Sequence, residues 1–172
     1  ADGETEEILF KIKNKKEKGK TAPAIPKAVK SFLSDTSSFS PEWSGSILRM
    51  LPESVRGAYP LLREHLRILS AGICIGEAKG KDFIPAEELA LSTALRPDAF
   101  PVADLDWDDA IRYLKKEALL LPAGTEKGYV LVRHKKFPLG FAKHLGNRAN
   151  NLYPQEWRIR TGYVPEQVKT FE

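Results

Sequence analysis

The chain has 172 residues, 42% hydrophobic and 29% charged, with a formal net charge of +4. That length allows one full domain and a small second unit and excludes a large enzyme, while the composition excludes a chain disordered beyond its ends. A single cysteine, Cys74, excludes an intrachain disulfide and a thiolate metal cluster and fits a reducing cytoplasm; no apolar run approaches the roughly 18 residues of a membrane span.

Residues 8–12 read as one short strand, followed by the charge run KNKKEKGK and the linker-like TAPAIP. A lone strand there is the tail of a preceding domain or a terminal arm. The acids of ADGETEEILF stand where a signal peptide would be basic. Val29, Phe32 and Leu33 predict a short helix over 26–33, and SDTSSFSPEWSG predicts a loop. A strand is expected over 47–51. Pro52 suits a first helical turn, with Leu61, Leu62 and Leu66 giving the next stretch an apolar side before 66–75 turns β-like.

The clearest helix is predicted over 106–120. Asp106 caps it, Asp108 and Asp109 sit at the positive end of its dipole, and Trp107, Ala110, Ile111, Leu114 and Ala118 share a face. Strands over 129–133 and 137–143, joined at Lys135-Lys136, form a hairpin. Ile75-Gly76-Glu77-Ala78-Lys79 and Leu139-Gly140-Phe141-Ala142-Lys143 echo one another, as a two-part β-barrel with related halves would.

No catalytic set emerges. Cys74 lies in the apolar run GICIG, where cysteine is a small buried hydrophobe. Asp104, Asp106, Asp108 and Asp109 resemble a calcium loop, but Asp109 replaces the required glycine and Lys115 the bidentate glutamate. His65, His134 and His144 lack metal-ligand spacing, and Gly72, Gly76 and Gly80 fit neither a dinucleotide nor a Walker loop. These residues predict no metal and no cofactor site in the chain.

The charge is polarised. Residues 128–172 hold eight Lys or Arg against three Glu, whereas 97–126 hold three against seven acids. Within the basic part, 137–160 carries three asparagines, no Asp and one Glu. Gly146-Asn147 predicts a turn that lets Lys143, Arg148, Asn150 and Asn151 project from neighbouring positions. Lys and Arg grip phosphates, amides read base edges or 2′-hydroxyls, and Tyr153 and Trp157 offer planes for stacking bases. The competing assignment has the asparagines bracing loops and the two aromatics filling a core.

The runs LRILSAGICIGEAKGKDFIPAEELALS and 128–160, with GEAKGKDFIP and PLGFAKHLGNRANNLYP as their most specific pieces, resemble the C-terminal RNA-binding region of bacterial Nol/Nop/Sun-family RNA cytosine-5 methyltransferases, the ribosomal RNA small-subunit methyltransferase F type. The resemblance spans about 26–163. It implies an α+β fold: a PUA-like mixed pseudobarrel with flanking helices over 66–172, an intermediate helical segment over 26–65, and the tail of a catalytic domain with its linker over 1–25. It also implies ribosomal RNA and a methyltransferase domain of the same polypeptide as partners, with Lys79, Lys81, Lys143, Arg148, Asn150 and Asn151 as RNA contacts; the chemistry of the segment adds Tyr153, Trp157, Arg158 and Arg160 to that set, and no membrane partner is expected. The family's catalytic half needs a glycine-rich loop for S-adenosylmethionine and a Pro-Cys nucleophile, and neither is in this sequence. S-adenosylmethionine is therefore expected for a parent enzyme and not for this chain. The second reading is a structural domain that packs on the methyltransferase domain without touching RNA.

Overall fold

A computed structural model describes Ile25 and residues 27–162. The strand expected over 8–12, the lysine run and most of the linker lie outside the described residues. The chain divides into two compact units, one reaching to Ala99 and the other beginning at Phe100.

The first unit runs α1 (Lys27–Lys30), β1 (Phe39–Ser44), β2 (Ile47–Pro52), a 3-10 turn (Glu53–Val55), α2 (Tyr59–His65), β3 (Ile73–Lys79), β4 (Asp82–Pro85) and α3 (Glu87–Ala90). Its strands form an antiparallel sheet in the order β1-β2-β3-β4. Leu48 and Met50 alternate inward along β2 and are buried with Ile75 of β3, Val29 of α1 and Leu89 of α3. After α1 the chain is pinned by Leu33 bridging Leu95 and by the Arg96 N–H donating to the Phe32 carbonyl at 2.8 Å.

Three expectations change in this unit. The loop expected over 34–45 contains β1, whose Ser- and Pro-rich sequence lacks hydrophobic alternation and is held as an edge strand by its full register with β2. The apolar side expected along 61–66 is only partly covered among the described residues: Leu61 of α2 is half-buried, while Leu62 and, just past the helix, Leu66 are 41% and 59% exposed. The line expected between 65 and 66 runs through this unit, because β2 pairs with β3 across it.

The second unit runs β5 (Val102–Asp104), α4 (Trp107–Leu114), β6 (Gly128–His134), β7 (Phe137–His144), β8 (Ala149–Asn151) and a 3-10 turn (Gln155–Trp157). Its sheet has the order β5-β6-β7-β8 and is mixed: β5 and β6 are parallel, with α4 as their crossover, and the other pairs are antiparallel. Asp106 caps α4 by accepting from the Asp109 N–H at 2.9 Å. The helix stops at Leu114, short of the expected Leu120, because Lys116 turns left-handed at φ 61° and ends the ladder. Ala118 therefore falls outside it. Tyr113, Ala110, Leu105, Leu119, Val132 and Ala142 form the core, with Leu139, Ala149 and Tyr153 packed against it.

The internal echo has a structural meaning. In β3, Leu48 faces Gly76 but Arg49 faces Cys74, so Ile75 is an extra residue; in β7, Val132 faces Gly140 but Arg133 faces Pro138, so Leu139 is extra. Both apolar-Gly pairs are β-bulges at the same place in their sheets. A Cβ on Gly76 would lie 2.2 Å from the Ile84 carbonyl oxygen, so only glycine lets β4 approach. The fold is α+β, as expected. No closed barrel forms among the described residues: each unit carries an open four-stranded sheet.

Candidate nucleic-acid interface

The predicted contacts fall in both units. Lys79 ends β3 and Lys81 lies in the turn to β4, both exposed on either side of Gly80, which the turn holds at φ 63°. The remaining predicted residues belong to the second unit.

Strand alternation separates the two adjacent asparagines. Asn150 faces Lys143 across β7–β8, and Lys143 faces Tyr129 across β6–β7, so these three side chains form one row across three strands. The Lys143 ammonium lies 4.8 Å from the centre of the Tyr129 ring and 3.3 Å from its hydroxyl. Asn150 is exposed. Asn151 points the other way. It donates to the carbonyls of Tyr113 at 2.8 Å and Glu117 at 3.2 Å and accepts from the Tyr153 N–H at 3.0 Å. Its amide is thus committed to the backbone around the C-terminal end of α4.

The turn expected at Gly146-Asn147 is present, with Gly146 at φ 104° and the Leu145 N–H donating to the Arg148 carbonyl at 2.8 Å. It leaves the Arg148 side chain exposed. The His144 ring lies between two carbonyl oxygens, Glu126 at 3.0 Å and Gly146 at 3.2 Å, and braces the same turn.

Beyond β8 an aromatic ladder climbs from core to surface. Tyr113 is fully buried and donates its hydroxyl to the Phe141 carbonyl at 3.1 Å. Tyr153 meets Tyr113 edge-on at 5.4 Å, and Trp157 meets Tyr153 edge-on at 6.4 Å while remaining 47% exposed. Tyr153 is a brace: its carbonyl accepts from the Lys116 ammonium, and its ring packs on the core. The Ile159 N–H donates to the Leu114 carbonyl at 3.0 Å, satisfying the end of α4 and leaving Arg158 and Arg160 exposed on either side. Among the described residues, Arg148, Asn150, Trp157, Arg158 and Arg160 are thus exposed, Lys143 is half-buried, and Asn151 and Tyr153 are used internally.

Sequence reasoning misses Tyr129. Counting back from the 135–136 turn places it opposite Ala142, and the extra residue Leu139 in the β7 bulge shifts it to Lys143, which local sequence does not signal.

Residues 100–159 match the family model described as the methyltransferase RsmF PUA domain. The second unit is a PUA-like domain of that kind. The chain is 32% identical over 110 residues to a ribosomal RNA small subunit methyltransferase F from Shewanella baltica (strain OS195), covering 61% of this chain and 22% of the relative. It is 32% identical over 92 residues to the protein of the same name from Shewanella pealeana (strain ATCC 700345 / ANG-SQ1), covering 53% and 18%. The chain thus spans about a fifth of the length of these relatives.

Outside residues 100–159, several residues that would suggest catalysis have other uses. In the first unit Cys74 is half-buried, and burial pushes its thiol above the ordinary value against the lowering effect of Arg49, so the nucleophilic thiolate is disfavoured. Gly72 and Gly76 face the carbonyls of Met50 and Ile84 at distances no side chain allows, which is close chain packing and not a nucleotide cradle. Among the described residues no three His, Cys, Asp or Glu gather as a metal site, and no helix is long and apolar enough to cross a membrane.

Proposed function

We propose that this chain is the ribosomal-RNA-docking part of an S-adenosylmethionine-dependent RNA cytosine-5 methyltransferase that works in the cytoplasm. The observation that carries the reading is the coincidence of the PUA-like match with an exposed set of contacts. The matched residues 100–159 include Arg148, Asn150, Trp157 and Arg158, and Arg160 follows directly.

Each group has a role suited to RNA. Arg148, Arg158 and Arg160 neutralise phosphates, Asn150 donates and accepts hydrogen bonds toward a base edge or a 2′-hydroxyl, and the free face of Trp157 stacks on an unpaired base. Lys79 and Lys81 add phosphate contacts from the first unit. The docked RNA is presented to a methyltransferase domain of the same polypeptide. S-adenosylmethionine, held by that domain, supplies the methyl group, and the residues here bind and orient RNA only. The concentration of cations with an amide and an indole favours this over a domain that packs on the enzyme without touching RNA, since charged residues are depleted from the cores of packing interfaces.

Filter binding of the chain to fragments of small-subunit ribosomal RNA tests the proposal. Affinity is expected to be weak and to fall steeply with salt, as phosphate contacts require. Absence of binding at low salt, or binding indifferent to salt, contradicts it.

A further inference from the structure

The tip of the β6–β7 hairpin carries a feature that the RNA-contact set above does not include. Lys135 and Lys136 form its two-residue turn, both exposed, with φ of 47° and 71°. Consecutive left-handed residues are the signature of a type I′ turn, which favours Asn-Gly because a side chain there costs about 1 kcal/mol per residue. Two lysines thus occupy the positions least suited to them. Directly after them Phe137 is 73% exposed, which removes hydrophobic burial as the reason for its presence. The next cation back, Arg133, is already joined to Asp104 by bonds of 3.0 and 2.7 Å. Among the described residues the tip therefore holds two lysines without an ion-pair partner beside an exposed aromatic ring at the end of the β6–β7 hairpin.

We infer that this tip is a further RNA-contact site, taking a short unpaired strand with Lys135 and Lys136 on successive phosphates and Phe137 stacked on a base. The inference rests on the RNA-docking reading above and extends it to residues that the contact set there did not include. Ammonium groups reach phosphate oxygens without needing fixed geometry, and a phenyl face accepts any base, so the site favours single strands over a particular sequence. A protein partner would instead cover Phe137 with an apolar pocket and pair the lysines with carboxylates.

The test uses the full chain and a fluorescein-labelled oligouridylate about a dozen nucleotides long, followed by anisotropy over a salt series. The double variant K135N/K136G removes both charges while installing the preferred turn, so thermal stability holds or rises and lost binding does not come from unfolding. It is expected to flatten the slope of log affinity against log salt by about 1.4, the effect of two single-strand phosphate contacts. Phe137→Ser is expected to weaken binding roughly five- to a hundred-fold with the slope unchanged, since stacking releases no counterions. If both variants bind the oligonucleotide like the wild type while the wild type still binds ribosomal RNA fragments in a salt-sensitive way, the tip inference fails alone and the surface passes to a protein partner. If the wild type binds neither RNA, both readings fail.

Discussion

Asn151 donates its side-chain amide to the Tyr113 carbonyl at 2.8 Å, tying β8 to the last turn of α4, while its neighbour Asn150 stands on the opposite face of the strand. Adjacent residues of one type therefore have opposite duties. Asn151→Ala leaves the carbonyls of Tyr113 and Glu117 without these donors and is expected to destabilise the domain by about 1–3 kcal/mol. Asn150→Ala is expected to leave stability within about 0.5 kcal/mol and to weaken RNA binding. Urea unfolding of both variants distinguishes them, and equal losses of stability contradict the assignment.

A two-pronged ion pair joins Asp104 and Arg133 across the parallel β5–β6 pair. Hydrogen bonding from Arg133 holds the Asp104 carboxyl below its ordinary value. Because the folded-state value is the lower one, the stabilisation is fully present above the unfolded carboxylate value and is lost as pH falls through the folded one. The pair is substantially exposed, with side chains 57% and 30% accessible, so Asp104→Asn should cost no more than about 1 kcal/mol near neutral pH. That difference from wild type should vanish in strong acid. Denaturant melts at several pH values measure it, and a difference that grows in acid contradicts the pairing.

Gly76 and Gly80 provide a matched comparison in the first unit. Gly76→Ala drives a methyl into the Ile84 carbonyl within the β3–β4 pair and should cost at least about 1–3 kcal/mol. At Gly80 there is open space, so alanine meets only the left-handed backbone penalty of about 1 kcal/mol. Thermal melts should rank Gly76→Ala as clearly the more damaging, and the reverse order would refute the bulge packing.

Burial raises the Cys74 thiol above its ordinary value, so less thiolate is present at a given pH than in the unfolded chain. Alkylation by iodoacetamide in mildly alkaline buffer should be markedly slower in the native protein than in denaturant. Cys74→Ala should leave RNA binding unchanged. Rapid native labelling would reopen the question of a reactive cysteine.

Local signals were legible wherever the sequence alone determined them. Asp106 as a cap and the turn at Gly146-Asn147 follow from residue chemistry over a few positions, and the turn at Lys135-Lys136 follows from the two strands that flank it. What required the fold was decided by pairing at long range. β1 lacks hydrophobic alternation and exists because β2 lies beside it, and β2 meeting β3 across an intervening helix keeps 47–79 within one unit. The end of α4 depended on Lys116 entering a conformation usually left to glycine, which composition does not signal. For the interface, the basic and aromatic character of 137–160 was readable, but which side chains stayed free was not. Strand parity turned Asn151 inward, the contact with Tyr113 made Tyr153 a brace, and register brought Tyr129 to Lys143.

In the proposed function, the exposed cations of the PUA-like domain hold RNA through its phosphates. The most direct measurement is the salt slope of binding to a fragment of small-subunit ribosomal RNA, for the wild type and for the triple variant Arg148→Gln, Arg158→Gln, Arg160→Gln. The wild type should show a steep negative slope, and the variant a slope flatter by about 2–3 with stability unchanged, since each lost phosphate contact removes about 0.7–0.9. Identical slopes and affinities for the two proteins would contradict the account.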